Sequence, residues 1–168
     1  MIAKTTLIII RKGGFYMKKR LLAAALVILA LVLCACGSKA VPETYCDSLA
    51  AAEKLVGFQM EAPDALNGSG TKTFCAKGRT IEIMYFDGKV LNGRISKSDN
   101  GENVGGFDYG YTVRSVVSGG GVDYTLSGSE EGGDVHLATW TKGKYSYLVL
   151  DGAGKSAEEM VAFCSGIR

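Results

Sequence analysis

The sequence predicts an α+β domain. Its main part is an antiparallel sheet of about six to seven strands, with one short helix at each end of the mature domain. Three observations carry this. Short β-branched and aromatic runs recur at hairpin spacing from residue 71 to residue 151. Glycine-rich pairs separate them, such as Asp87-Gly88, Gly119-Gly120-Gly121 and Lys142-Gly143. Helix start and stop signals occur only before and after that stretch. Taken in order, Ser48 is an N-cap and Gly57 a left-handed stop, so a helix is expected over 49–56. Residues 58–62 read as an edge strand ended by Pro63. Strands follow over 71–77 and 80–86, where Ile81, Ile83 and Tyr85 alternate with Glu82 and Met84. A strand over 90–96 is interrupted by Gly93, and 98–106 is a polar loop. Four further strands are expected over 109–118, 122–127, 135–141 and 145–151. Ser156 and Glu159 form a capping box, and Met160, Val161, Phe163, Cys164 and Ile167 give the last helix an apolar side. Helices at the ends and a meander between them place both helices on one face of the sheet.

Ahead of this domain lies MKKRLLAAALVILALVLCACGS, residues 17–38. Lys18, Lys19 and Arg20 are a basic start, and residues 21–35 carry no charge. Fifteen apolar residues suit a signal segment and fall short of the roughly 20 a membrane-spanning helix needs. The segment ends Leu33-Cys34-Ala35-Cys36, which resembles the lipobox of bacterial lipoproteins. Cys36 has the leucine three positions before it and a small residue just before it; Cys34 does not. The resemblance implies cleavage before Cys36 and a diacylglyceryl thioether on it. The expected localisation is export, with lipid on Cys36 anchoring the chain to the outer face of the cytoplasmic membrane. Residues 17–35 are then the signal peptide, 36–47 a tether and 48–168 a single domain. Residues 1–16 fit no step of this scheme, and Met17 is the expected start.

Charge excludes one class of function. The first 35 residues hold six of the 19 basic residues and no acidic one, leaving 13 basic against 17 acidic residues, a net of −4. Nucleic-acid binding needs clustered Lys and Arg, so no nucleic-acid partner is expected. Cys46, Cys75 and Cys164 allow three pairings. Cys46–Cys164 is the favoured pair if one forms, and three reduced thiols are the alternative. With one histidine and no CxxC, neither a metal site nor a cofactor is expected.

Four constellations bear on chemistry. Gly152-Ala153-Gly154-Lys155-Ser156 looks like the end of a phosphate-binding loop, but the first required glycine is Val149, so helix capping explains it better. His136 is the lone histidine, with Asp134 two residues before it. A hydrolase would use His136 with that acid, yet no serine or cysteine nucleophile is marked. Asp99, Glu102 and Asp108 read as a solvated loop. Tyr109, Tyr111, Tyr145 and Tyr147 make two i, i+2 pairs. They form either an outer platform for peptide or sugar or part of the core, the core being favoured.

The mature part also resembles a family of domains of unknown function in surface lipoproteins and membrane-tethered proteins of Gram-positive bacteria. The residues that carry the likeness are Ala51 to Phe58 with Pro63, Ile81 to Tyr85, Arg94-Ile95 with Lys97, Ala138 to Thr141, and Gly143 with Tyr145 to Tyr147. A similar-looking module is the extracytoplasmic part of anti-sigma-type membrane proteins. The resemblance implies no activity and no catalytic residues. The expected function is that of a lipid-anchored, non-enzymatic extracytoplasmic domain that binds a protein, peptide or envelope ligand. The alternatives are an envelope hydrolase using His136 and a structural protein or carrier of an apolar ligand.

Overall fold

The computed structural model describes residues 42–99, 104 and 109–168. The extension 1–16, the signal 17–35, and Cys36 with the tether as far as residue 41 lie outside the described residues, as do Glu102 and Asp108. Eight strands form one sheet, antiparallel throughout. They are β1 (Glu43–Cys46), β2 (Thr71–Lys77), β3 (Thr80–Asp87), β4 (Val90–Ser98), β5 (Val113–Gly119), β6 (Val122–Gly128), β7 (Val135–Lys142) and β8 (Tyr145–Lys155). Helix α1 (Leu49–Val56) follows β1, and α2 (Ala157–Ser165) follows β8. The spatial order is β1-β2-β3-β4-β8-β7-β6-β5. Two four-strand meanders thus run inward from opposite edges and meet at the β4–β8 pair.

The structure corrects three expectations. The sheet has eight strands among the described residues, not six or seven. A strand precedes the first helix, because residues 43–46 of the expected tether pair with β2. Glu43, Thr44 and Tyr45 are exposed, so no burial pattern marks them in the sequence. Residues 58–62 are not a strand; Glu61 instead exchanges two main-chain hydrogen bonds with Arg168, at 2.7 and 3.2 Å.

Both helices form where their caps put them. The Ser48 hydroxyl accepts from Ala51 N at 3.2 Å, and Gly57 closes α1 with φ 84°. Ser156 and Glu159 make the reciprocal capping box, at 3.3 and 3.0 Å, a device that contributes about 1 kcal/mol. Ala52 of α1 and Met160 and Cys164 of α2 enter one core with Ile81, Ile83, Tyr85, Ile95, Leu126, Ala138 and Val149. Directly opposed residues on antiparallel strands share a face. Ile83, Ile95, Val149, Ala138 and Leu126 therefore form one row across five strands, under the helices. β4 runs unbroken through Gly93, where a Cβ would lie 2.1 Å from Leu66 Cδ2 and 2.7 Å from the Leu150 carbonyl oxygen. Leu66 is fully buried over it.

Cys46, Cys75 and Cys164 are free thiols, so the favoured Cys46–Cys164 bridge is absent. Burial pushes the Cys164 thiol up to about 12.

Candidate functional site

The four tyrosines singled out in the sequence divide into two groups, and Lys97 and Arg94 decide the division. These residues are three apart on β4 and so point to opposite faces.

Lys97 lies on the helix face, directly opposite Ile81 and Tyr147. Its ammonium sits 4.4 Å from the ring centre of Tyr145, 5.5 Å from Tyr147 and 5.6 Å from Phe58. It donates to the Gln59 carbonyl at 2.6 Å. Trp140 stacks on Tyr147 at 4.9 Å, and Tyr124 tilts against Trp140 at 5.5 Å. Burial lowers the Lys97 pKa, and the charges of Glu53 and Glu61 oppose that. Tyr147 is 3% exposed. This group is core: ring faces and one carbonyl replace the water a lysine would otherwise keep.

Arg94 points to the other face, opposite Met84 and Leu150. It donates to the Tyr109 hydroxyl, its guanidinium lies 5.6 Å over the Tyr109 ring, and it pairs with Glu82 at 3.4 Å. Tyr109 stacks on Tyr111 at 6.4 Å. Tyr111 stacks on His136 at 5.4 Å with the planes 6° apart. Arg94, Tyr109, Tyr111 and His136 therefore make one column, and its three rings are half-buried. Burial raises the Tyr109 pKa against the opposing charge of Arg94. Burial, then the negative charge of Asp151, raises that of Tyr111.

The column rests on Asp151. His136 Nδ1 is 3.0 Å from the Asp151 carbonyl oxygen. A carbonyl only accepts, so Nδ1 donates to it. The Asp151 carboxylate is fully buried. Its Oδ1 accepts from Asn67 Nδ2 at 2.5 Å and from the main-chain N–H groups of Ala153 and Gly154, both at 3.0 Å. Its Oδ2 pairs with Lys155 Nζ at 2.9 Å, and the same ammonium reaches Asn67 Oδ1 at 3.0 Å. Burial alone would raise the Asp151 pKa; the bonds from Lys155 and Asn67 outweigh it and hold the carboxyl below its ordinary value. Gly154 has φ 78°, and a Cβ there would lie 2.8 Å from both His136 Cε1 and Asp134 Cβ. The end of β8, whose sequence resembles a phosphate cradle, thus cradles the chain's own carboxylate, while Ser156 caps α2.

The structure brings Tyr109, Tyr111 and His136 together and sets Tyr145 and Tyr147 on the opposite face. His136 has the Asp151 carbonyl as its polar partner. Among the described residues no serine or cysteine lies within hydrogen-bond distance of it. Asp99 is not solvated: its side chain is 3% exposed and paired with Arg79. An open groove of about 390 Å³ lies apart from the column, between β5, the β6–β7 turn and the start of α2. Arg114, Glu130, Glu131 and Asp134 line it. No described helix is long and apolar enough to cross a membrane. Sequence reasoning missed Arg94, Asn67, Asp151 and Lys155. Their traces are Arg94, among the residues of the family likeness, and Lys155, in the Gly152-to-Ser156 stretch that reads as a cap.

Comparison with known protein families, with curated proteins and with solved structures finds no match.

Proposed function

We propose that the chain is a lipid-anchored extracytoplasmic domain that binds a polypeptide through the Tyr109–Tyr111–His136 column. The observation that carries this is the stack itself. Its rings are half-buried and already ordered by Arg94 at one end and the Asp151 carbonyl at the other. Rigid aromatic side chains bind with little loss of rotamer freedom, which is why they anchor protein interfaces. The stacking also selects the ligand class. Ring faces are used up inside the column, and Arg94 holds the Tyr109 hydroxyl, so ring rims and the Tyr111 hydroxyl remain. Those suit hydrogen bonding to a peptide better than stacking under a sugar ring. The anchor is proposed on the lipobox-like Leu33-Cys34-Ala35-Cys36; acylation at Cys36 would keep the column at the membrane surface.

Hydrolysis through His136 is less well supported, because the imidazole is oriented by a main-chain carbonyl and has no described nucleophile. Carriage of an apolar ligand is also less well supported, because the apolar side chains between sheet and helices pack into one buried cluster with each other. Two measurements test the proposal. Metabolic labelling with palmitate should mark the chain, and Cys36→Ser should abolish both the label and membrane retention. A photoreactive phenylalanine analogue at position 111 should cross-link to an envelope polypeptide in cells. An unlabelled chain overturns the anchor, and a silent position 111 overturns the binding face.

A further inference from the structure

The two edges of the sheet are not alike. β1 is four residues long, and a Glu43–Lys77 ion pair at 2.6 Å bridges it to β2. β5 is seven residues long and among the described residues pairs only with β6. Its sequence, VRSVVSG, contains no proline and no lysine, and no register shift interrupts its pairing with β6. Short strands, prolines, lysines and bulges are the usual protections of a free edge. Val116 at its middle is 67% exposed. A seven-residue edge that no described strand covers is a template for another strand, provided that its one charge, Arg114, is matched.

We infer that the occupant is a second copy of this chain, joined β5 to β5 in antiparallel register about a two-fold axis at Val116. Charge selects both the occupant and the register. A two-fold perpendicular to the sheet must pair residues of the same face, so the axis falls on a residue. With the axis on Val116, each Val116 faces the partner's Val116. Arg114 then stands opposite the partner's Ser118. That serine's hydroxyl donates to its own Asp123 at 2.5 Å, and Ser118 and Asp123 are directly paired across β5 and β6. The next strand is only about 4.8 Å further on, within reach of an arginine. Each Arg114 thus meets the partner's Asp123, and symmetry makes the ion pair twice. Among the described residues neither Arg114 nor Asp123 has an oppositely charged partner of its own. An axis at Ser115 sets Arg114 against the partner's Val116, and one at Val117 sets it against the partner's Gly120, so both lose the match. The result is one continuous sheet through both copies. This inference stands apart from the ligand-binding column.

Sedimentation of the full chain in density-matched detergent tests it. The wild type should dimerise reversibly at concentrations below about 1 mM. Arg114→Asp and Asp123→Arg should each weaken association at least tenfold, and the double swap should restore it. Unchanged far-UV circular dichroism establishes that the variants fold. Mild oxidation of Val116→Cys should give a covalent dimer, whereas Thr125→Cys, one strand inward, should not. The inference is overturned by a wild type that stays monomeric throughout, by a double swap no better than either single change, or by equal cross-linking at both cysteines. It is equally overturned if β5 captures a different polypeptide while the chain remains monomeric.

Discussion

The Lys97 cluster and the Arg94 column use the same materials, a cation and two tyrosines spaced i, i+2, for opposite ends. Around Lys97 the rings enclose the charge, Trp140 and Tyr124 extend the stack, and the ammonium's hydrogen bond ties down the chain after α1. Around Arg94 the rings lie half-buried and end at His136, whose second nitrogen has no partner among the described residues. Register makes the difference. Lys97 is in the row of Ile81, Tyr147 and Trp140 beneath the helices, and Arg94 is in the row of Met84 and Leu150 on the other side. One cluster stabilises the fold, and the other displays polar rims.

The largest break in that comparison comes from beneath the column. Asp151→Ala leaves Lys155 without its buried carboxylate and removes the acceptor of Asn67, Ala153 and Gly154. Urea titration should show a loss of about 3–5 kcal/mol, the range for removing one partner of a buried charge pair. Next comes a direct contrast of tyrosines. Tyr147→Ala, under the helices, should cost about 3 kcal/mol in the same assay. Tyr111→Ala should cost under about 1 kcal/mol, since the site is half-exposed, yet it should abolish polypeptide binding.

Acid sharpens the contrast further. Asp151 titrates below its ordinary range when folded, and an unfolded aspartate titrates near about 3.9. Its stabilisation is therefore complete above that value and is lost as the pH falls through the lower folded pKa. Asp151→Asn should flatten the fall in stability below about pH 4 that the wild type shows on acid titration. The smallest effect belongs to Lys97→Met. The thioether keeps most of the volume and ends the cost of burying a charge, at the expense of leaving the Gln59 carbonyl unpaired. Stability should stay within about 1 kcal/mol of wild type, and Lys97→Ala should be clearly worse because it leaves a cavity.

Much of the fold is legible in the sequence because it is written locally. Ser48, Gly57, Ser156 and Glu159 are contiguous cap signals, and α1 spans the residues they predict. The strands from Thr71 onward follow period-two alternation and glycine turns. β1 escapes because an exposed edge strand needs no pattern, only backbone partners on β2. Residues 58–62 mislead because their apolar side chains serve the core without entering a ladder. The candidate site is less legible. Asn67 and Asp151 are 84 positions apart, and no local signal joins them. His136 on β7 and Tyr111 just ahead of β5 stack in space, and no local signal joins them either. The four tyrosines look equivalent as two i, i+2 pairs; only the pairing of β4 with β8 shows that Tyr147 belongs with Lys97.

The contrast between the two clusters is tested most directly by site-specific photocross-linking in cells. The photoreactive phenylalanine analogue is placed at Tyr111 in one strain and at Leu55, which is 60% exposed on α1, in another. The account predicts a discrete polypeptide adduct at position 111 that disappears with His136→Ala, and none at position 55. Equal adducts at both positions, or an adduct at 55 alone, would contradict it.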